Sequence, residues 1–75
     1  MDITDILIHV HPTLGAEQRA KIEEALLGSK GVVAATFSPG HPHMLTVAYD
    51  PEAAHAGELL QTVREWDAAA TMTGL

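Results

Sequence analysis

The spacing of apolar residues changes twice along this chain, and in the same sense each time. From Asp5 to His11, Ile6, Ile8 and Val10 alternate with Leu7, His9 and His11, a period of two that predicts a half-buried strand. From Gly15 to Gly28 the period becomes helical: Ile22, Ala25 and Leu26 share a face, Glu17 and Lys21 stand four apart, and Gly28 supplies a stop. The pattern then repeats. Val32 to Phe37 is β-rich and ends at Ser38-Pro39-Gly40, a turn signal, and Leu45, Val47 and Tyr49 alternate as far as Asp50-Pro51, so the two runs read as a hairpin. A second helix is expected from about Ala56, with Leu59, Val63 and Trp66 in one stripe. The tail from Ala68 to Leu75 is the candidate for a short last strand, although Ala68-Ala69-Ala70 has poor β propensity.

Strand, helix, strand, strand, helix, strand is the order of a split βαβ, ferredoxin-like α+β sandwich, with two helices on one face of a four-stranded antiparallel sheet. Right-handed crossovers give the sheet order fourth, first, third, second. That topology gathers three connections at one end: the loop after the first strand, the hairpin between the second and third, and the loop after the second helix. His11, the His41-Pro42-His43-Met44 segment and the Trp66-Asp67 corner are therefore expected to cluster. At 75 residues, 1–75 is expected to form a single domain.

Composition narrows the chemistry. There is no cysteine, so disulfides, thiolate metal sites and cysteine nucleophiles are all excluded. Four Lys and Arg against ten Asp and Glu give a formal charge of -6, which argues against nucleic acid and against anionic membranes as partners. No apolar run approaches the roughly 20 residues that span a bilayer. The acidic start, Met1-Asp2-Ile3-Thr4-Asp5, is unlike a signal peptide, and the expected location is cytoplasmic. Glu17, Glu23 and Glu24 lie along a helix flank without converging, and neither a Ser-His-Asp arrangement nor a phosphate-binding glycine loop is present, so an enzyme is not expected.

Thr13-Leu14-Gly15-Ala16-Glu17-Gln18-Arg19-Ala20-Lys21-Ile22-Glu23-Glu24-Ala25-Leu26 resembles the loop and first helix of the heavy-metal-associated domain of copper chaperones and metal-transporting ATPases. In that family a Met-Thr-Cys-x-x-Cys loop runs into Ile-Glu-x-Ala-Leu. Gly31-Val32, Val47-Ala48-Tyr49-Asp50-Pro51, Glu58-Leu59 and Val63 extend the resemblance over nearly the whole chain. It implies the ferredoxin-like fold. The departures fall on the metal site: Gly15 and Gln18 occupy the two cysteine positions, Pro12 replaces a Gly, Thr13 a Met, Asp67 a Gly and Ala68 an aromatic. Neither Gly15 nor Gln18 offers the sulfur that monovalent copper prefers.

Five histidines offer a replacement. On a strand, His9 and His11 would point to one face about 6.5 Å apart. Two imidazoles so placed suit zinc, copper or nickel, given a third ligand. If Leu45, Val47 and Tyr49 face the helices, parity makes Met44 rather than His43 the cross-strand neighbour of His9, and a thioether there would favour reduced copper. His41 would close over the ion from the turn, and His55 would cap the second helix or lie on the surface. The expected metal ligands are thus His9, His11, His41, His43 and Met44, in a small metal-binding protein whose partners would be the ion and a metal transporter or another protein. Such a site should lose its ion as pH falls through about 6.5, because protonated imidazole cannot ligate. The alternative is plain surface histidine beside an open sheet face of Leu7, Thr36, Met44, Thr46 and Ala48, serving as a metal-free interaction or homodimerisation module.

Overall fold

Ile6 and Ile8 turn inward from the first strand and are almost fully buried, as their alternation requires. The computed structural model describes residues 2–74, which leaves out Met1 and Leu75, the last residue of the expected tail. Six elements succeed one another: β1 (Thr4–His9), α1 (Ala16–Leu27), β2 (Val32–Ser38), β3 (His41–Tyr49), α2 (Ala56–Arg64) and β4 (Thr71–Gly74). The strands form one antiparallel sheet in the order β2-β3-β1-β4, the order expected from the sequence.

One core lies between sheet and helices. β1 contributes Ile6 and Ile8 and β3 contributes Leu45, Val47 and Tyr49, with Val10 just beyond β1; α1 contributes Ile22 and Leu26, and α2 contributes Leu59 and Val63. Trp66, two residues past α2, packs against this cluster from the side. No polar or charged side chain is buried among the described residues, so hydrophobic burial carries the packing without buried charge to desolvate. α1 lies over β2 and touches α2.

Helix starts are economical. Gly15 occupies the N-cap of α1 in an extended conformation and has no side chain to cap with. Gln18 reaches back instead, its Oε1 accepting the Gly15 N–H at 3.0 Å, which is the returning half of a capping box. The Arg19 guanidinium donates to the Leu14 carbonyl and ties down the turn before it. His55 stands at the N-cap of α2, exposed, and its side chain makes no capping bond.

Three boundaries differ from those the sequence predicts. β1 stops at His9 rather than His11, because Pro12 has no N–H and forces the chain before it out of the ladder. β3 begins at His41 rather than near Leu45: the two-residue turn Pro39–Gly40, with Gly40 at φ 77°, is all the hairpin needs. The last strand begins only at Thr71, after the alanine triplet.

Candidate metal centre at the loop end of the sheet

The β1 to α1 loop is fastened to the α2 to β4 loop by side chains. Val10 N–H donates to the His43 carbonyl at 2.9 Å, carrying the β1:β3 pairing one step past the strand. His11 then turns away, and its main-chain N–H donates to Asp67 Oδ2 at 2.7 Å. The other carboxylate oxygen, Oδ1, accepts the Ala69 N–H at 3.1 Å, so one side chain bridges both loops. Arg64 Nε donates to the Ala70 carbonyl at 3.0 Å and fixes the approach to β4.

The ring of His11 is engaged as well. Its Nδ1 lies 3.2 Å from the Thr13 main-chain nitrogen and 2.6 Å from Thr13 Oγ1. A main-chain N–H can only donate, so Nδ1 is the acceptor, and in the neutral ring the proton sits on Nε2. Neither ring nitrogen then has a free lone pair. With the proton on Nδ1 instead, the ring would donate to Thr13 Oγ1 and leave Nε2 free to ligate, at the cost of the bond from the Thr13 N–H.

The remaining candidates divide by strand parity. His9 is directly opposite Met44 in the β1:β3 register and opposite Thr71 in β4, so His9 and Met44 share the sheet face that carries no helix. His43 pairs with Val10 and therefore faces the helix side, half-buried, and His41 joins it two residues earlier. Their rings meet edge to face, with centroids 6.1 Å apart and planes at 81°. The structure thus brings together His9 with Met44 and His41 with His43, on opposite faces of β3. His11 lies two residues past the end of β1, its ring against Thr13. Among the described residues no three His, Cys, Asp or Glu side chains converge closely enough to hold an ion.

Two residues that organise this end carry little signal in the sequence. Gln18 is readable as the fourth position of Gly15-x-x-Gln18, a capping-box spacing. Asp67 is visible there as part of the corner expected beside His11, which its bond to the His11 N–H bears out, and as a substitution for glycine. Between the helices, away from the histidines, Lys21, Glu24, Ala25, Gly28 and Trp66 line an open groove of about 480 Å³. No helix among the described residues is long and apolar enough to cross a membrane.

Solved structures share this architecture end to end. The mercury-bound form of MerP, the periplasmic protein of the bacterial mercury detoxification system, matches with a TM-score of 0.74 at 14% identity, over 96% of this chain and 99% of that one. The fold is heavy-metal-associated-like. A copper-binding domain from HMA7, a P-type ATPase, matches equally well, with a TM-score of 0.74 at 19% identity over 96% of this chain and 93% of its own. At such identities the likeness to these heavy-metal-associated folds is one of fold alone. The sequence matches no protein-family model, and no curated protein is similar to it. This chain has no cysteine, and its Gly15 and Gln18, at the positions the resemblance gives to thiols, are hydrogen-bonded to each other.

Proposed function

We propose that this chain is a small, non-enzymatic metal-binding module of metallochaperone type, which takes up a transition-metal ion through imidazoles in place of thiolates and works in the cytoplasm. The observation that carries the reading is the paired rings of His41 and His43 at the loop end of β3. Support comes from the fold, since MerP is solved with mercury bound and the HMA7 domain is a copper-binding one. Imidazole is a borderline donor, so the ions it suits are Zn²⁺, Cu²⁺ and Ni²⁺. His9 and Met44 form a second donor pair, nitrogen with thioether, suited to copper in its reduced state. The ion is cargo, and the partner that gives or receives it is a metal transporter or another metal-carrying protein.

Calorimetric titration of Zn²⁺, Cu²⁺, Ni²⁺ and Cu⁺ into three proteins tests this: wild type, His41→Ala/His43→Ala, and His9→Ala/Met44→Leu. The expected result is divalent-ion binding tighter than about 10 μM by wild type, weakened at least tenfold by the first pair of substitutions. No such binding by wild type, or equal binding by all three, sinks the histidine site.

A second reading rests on a different observation. Leu7, His9, Met44, Thr46, Ala48 and Thr36 lie on the helix-free side of the sheet, with no Lys or Arg among the strand residues there. Such a face suits a metal-free interaction or homodimerisation module. A sedimentation series in the presence of chelator separates the two: association under those conditions favours the face, and a strict monomer argues against homodimerisation through it.

A further inference from the structure

We infer that His41 and His43 are half of a tetrahedral site, completed by the same two residues of a second copy of the chain around one Zn²⁺ on the two-fold axis. The inference rests on the imidazole-binding reading and adds the partner. A structural zinc takes four protein ligands, and this pair supplies two. The other candidates in the same chain are accounted for. Among the described residues no third His, Asp or Glu converges on the pair, and both Asp67 carboxylate oxygens accept main-chain N–H groups, from His11 and Ala69. His9 and Met44 are on the opposite face of the sheet, and His55 heads α2 at the other end of the molecule. The missing ligands therefore come from outside the chain.

The place of the pair favours a second copy. From Gly31 to Tyr49 there is no Asp, Glu, Lys or Arg, so the whole hairpin is free of formal charge, and the -6 of the chain resides elsewhere. Two like-charged chains repel least where they meet through this hairpin, and a divalent cation between them lowers the repulsion further. Gly40, Pro42 and His41 are exposed, and Gly40 has no atom within 4 Å of where a Cβ would lie, so nothing bulky holds a partner off. A two-fold axis needs only a patch complementary to itself, and a pair of imidazoles facing its own copy satisfies that condition. With a Zn–N bond of about 2.0–2.1 Å, two rings on one tetrahedral ion have centroids roughly 5 Å apart. The observed 6.1 Å would have to shorten toward that value when the ion binds.

The test is sedimentation velocity on the full chain, stripped with chelator and titrated with ZnCl₂, with zinc bound per chain measured in parallel. The expected result is a twofold rise in mass that saturates at one zinc per two chains and reverses with chelator. His41→Ala/His43→Ala and the milder His43→Gln should stay monomeric with zinc, their folds checked by circular dichroism, while His55→Ala, at the exposed start of α2, should double like wild type. One zinc per chain on a monomer overturns the shared site and leaves the histidine reading standing. No zinc binding overturns the shared zinc site, and the histidine reading then rests on the Cu²⁺ and Ni²⁺ titrations. A doubled mass without zinc, or one retained in the His41→Ala/His43→Ala protein, overturns the bridging role of these residues.

Discussion

The two ends of the sandwich are closed by different means. At the end away from the histidines, main-chain bonds predominate: Asp50 N–H donates to the Gly31 carbonyl at 2.8 Å, and Ala53 and Ala54 N–H donate back to the Asp50 carbonyl. Gly31, at φ 86°, sits so close to this turn that a Cβ would lie 2.9 Å from Ala53 Cβ and 3.1 Å from both the Ala53 carbonyl carbon and Ala54 Cβ. Packing closes that end. At the loop end main-chain bonds such as Val10 N–H to the His43 carbonyl are joined by bonds that use the side chains of Asp67, His11, Thr13, Gln18 and Arg64. The first end tolerates no added atom.

Substitutions can break this contrast. The largest effect is expected from Gly31→Ala, which combines a left-handed backbone cost of about 1–2 kcal/mol with overpacking of about 1–3 kcal/mol. Against the roughly 5 kcal/mol at the lower end for native domains, that is a large share, and the urea midpoint should fall steeply. Asp67→Ala comes next, at about 1–2 kcal/mol, because two main-chain N–H groups lose a charged acceptor at a site that water reaches. Hydrogen exchange should show the His11 and Ala69 amides losing protection while Ile8 and Val47 keep theirs. Loss of protection across the whole sheet would mean that the loop end is not separable from the core. The smallest effect is expected from Gly40→Ala, about 1–2 kcal/mol at most, since Gly40 shares a positive φ with Gly31 but meets no neighbour. Equal midpoints for the two glycine variants would show that positive φ accounts for the whole cost at Gly31 and that its close contacts add nothing.

Most of the fold is legible in the chain. Period two at Ile6 and Ile8, helical spacing through Ile22 and Leu26, and the handedness of crossovers suffice to order the strands. The same parity argument places Met44 opposite His9, and the register has them so. The loop end resists reading because main-chain exits are decided by single residues. Alternation assigns His11 to the strand, yet β1 ends at His9 and the His11 ring lies against Thr13, a contact that no spacing in the sequence announces. His41 and His43 look like turn residues, since Pro42 between them suggests a bend. The two-residue turn before them instead leaves both on the strand, with Pro42 on the face away from the helices. Asp67 carries no periodic or motif signal at all. Its role follows from two loops meeting in space.

Glu23, on α1, has its own consequence for how the molecule behaves in a crowd. Its Oε2 accepts the Phe37 N–H at 2.9 Å, a donor of β2 that points away from β3. β2 is an outer strand with no charged residue of its own, the kind of border that recruits stray strands from unfolded neighbours. Two register shifts along it, between Val32 and Ala34 and between Phe37 and Ser38, already make it a poor template. Glu23 adds a borrowed negative charge at that border. A charge so placed opposes edge-to-edge pairing along the side of the otherwise neutral hairpin.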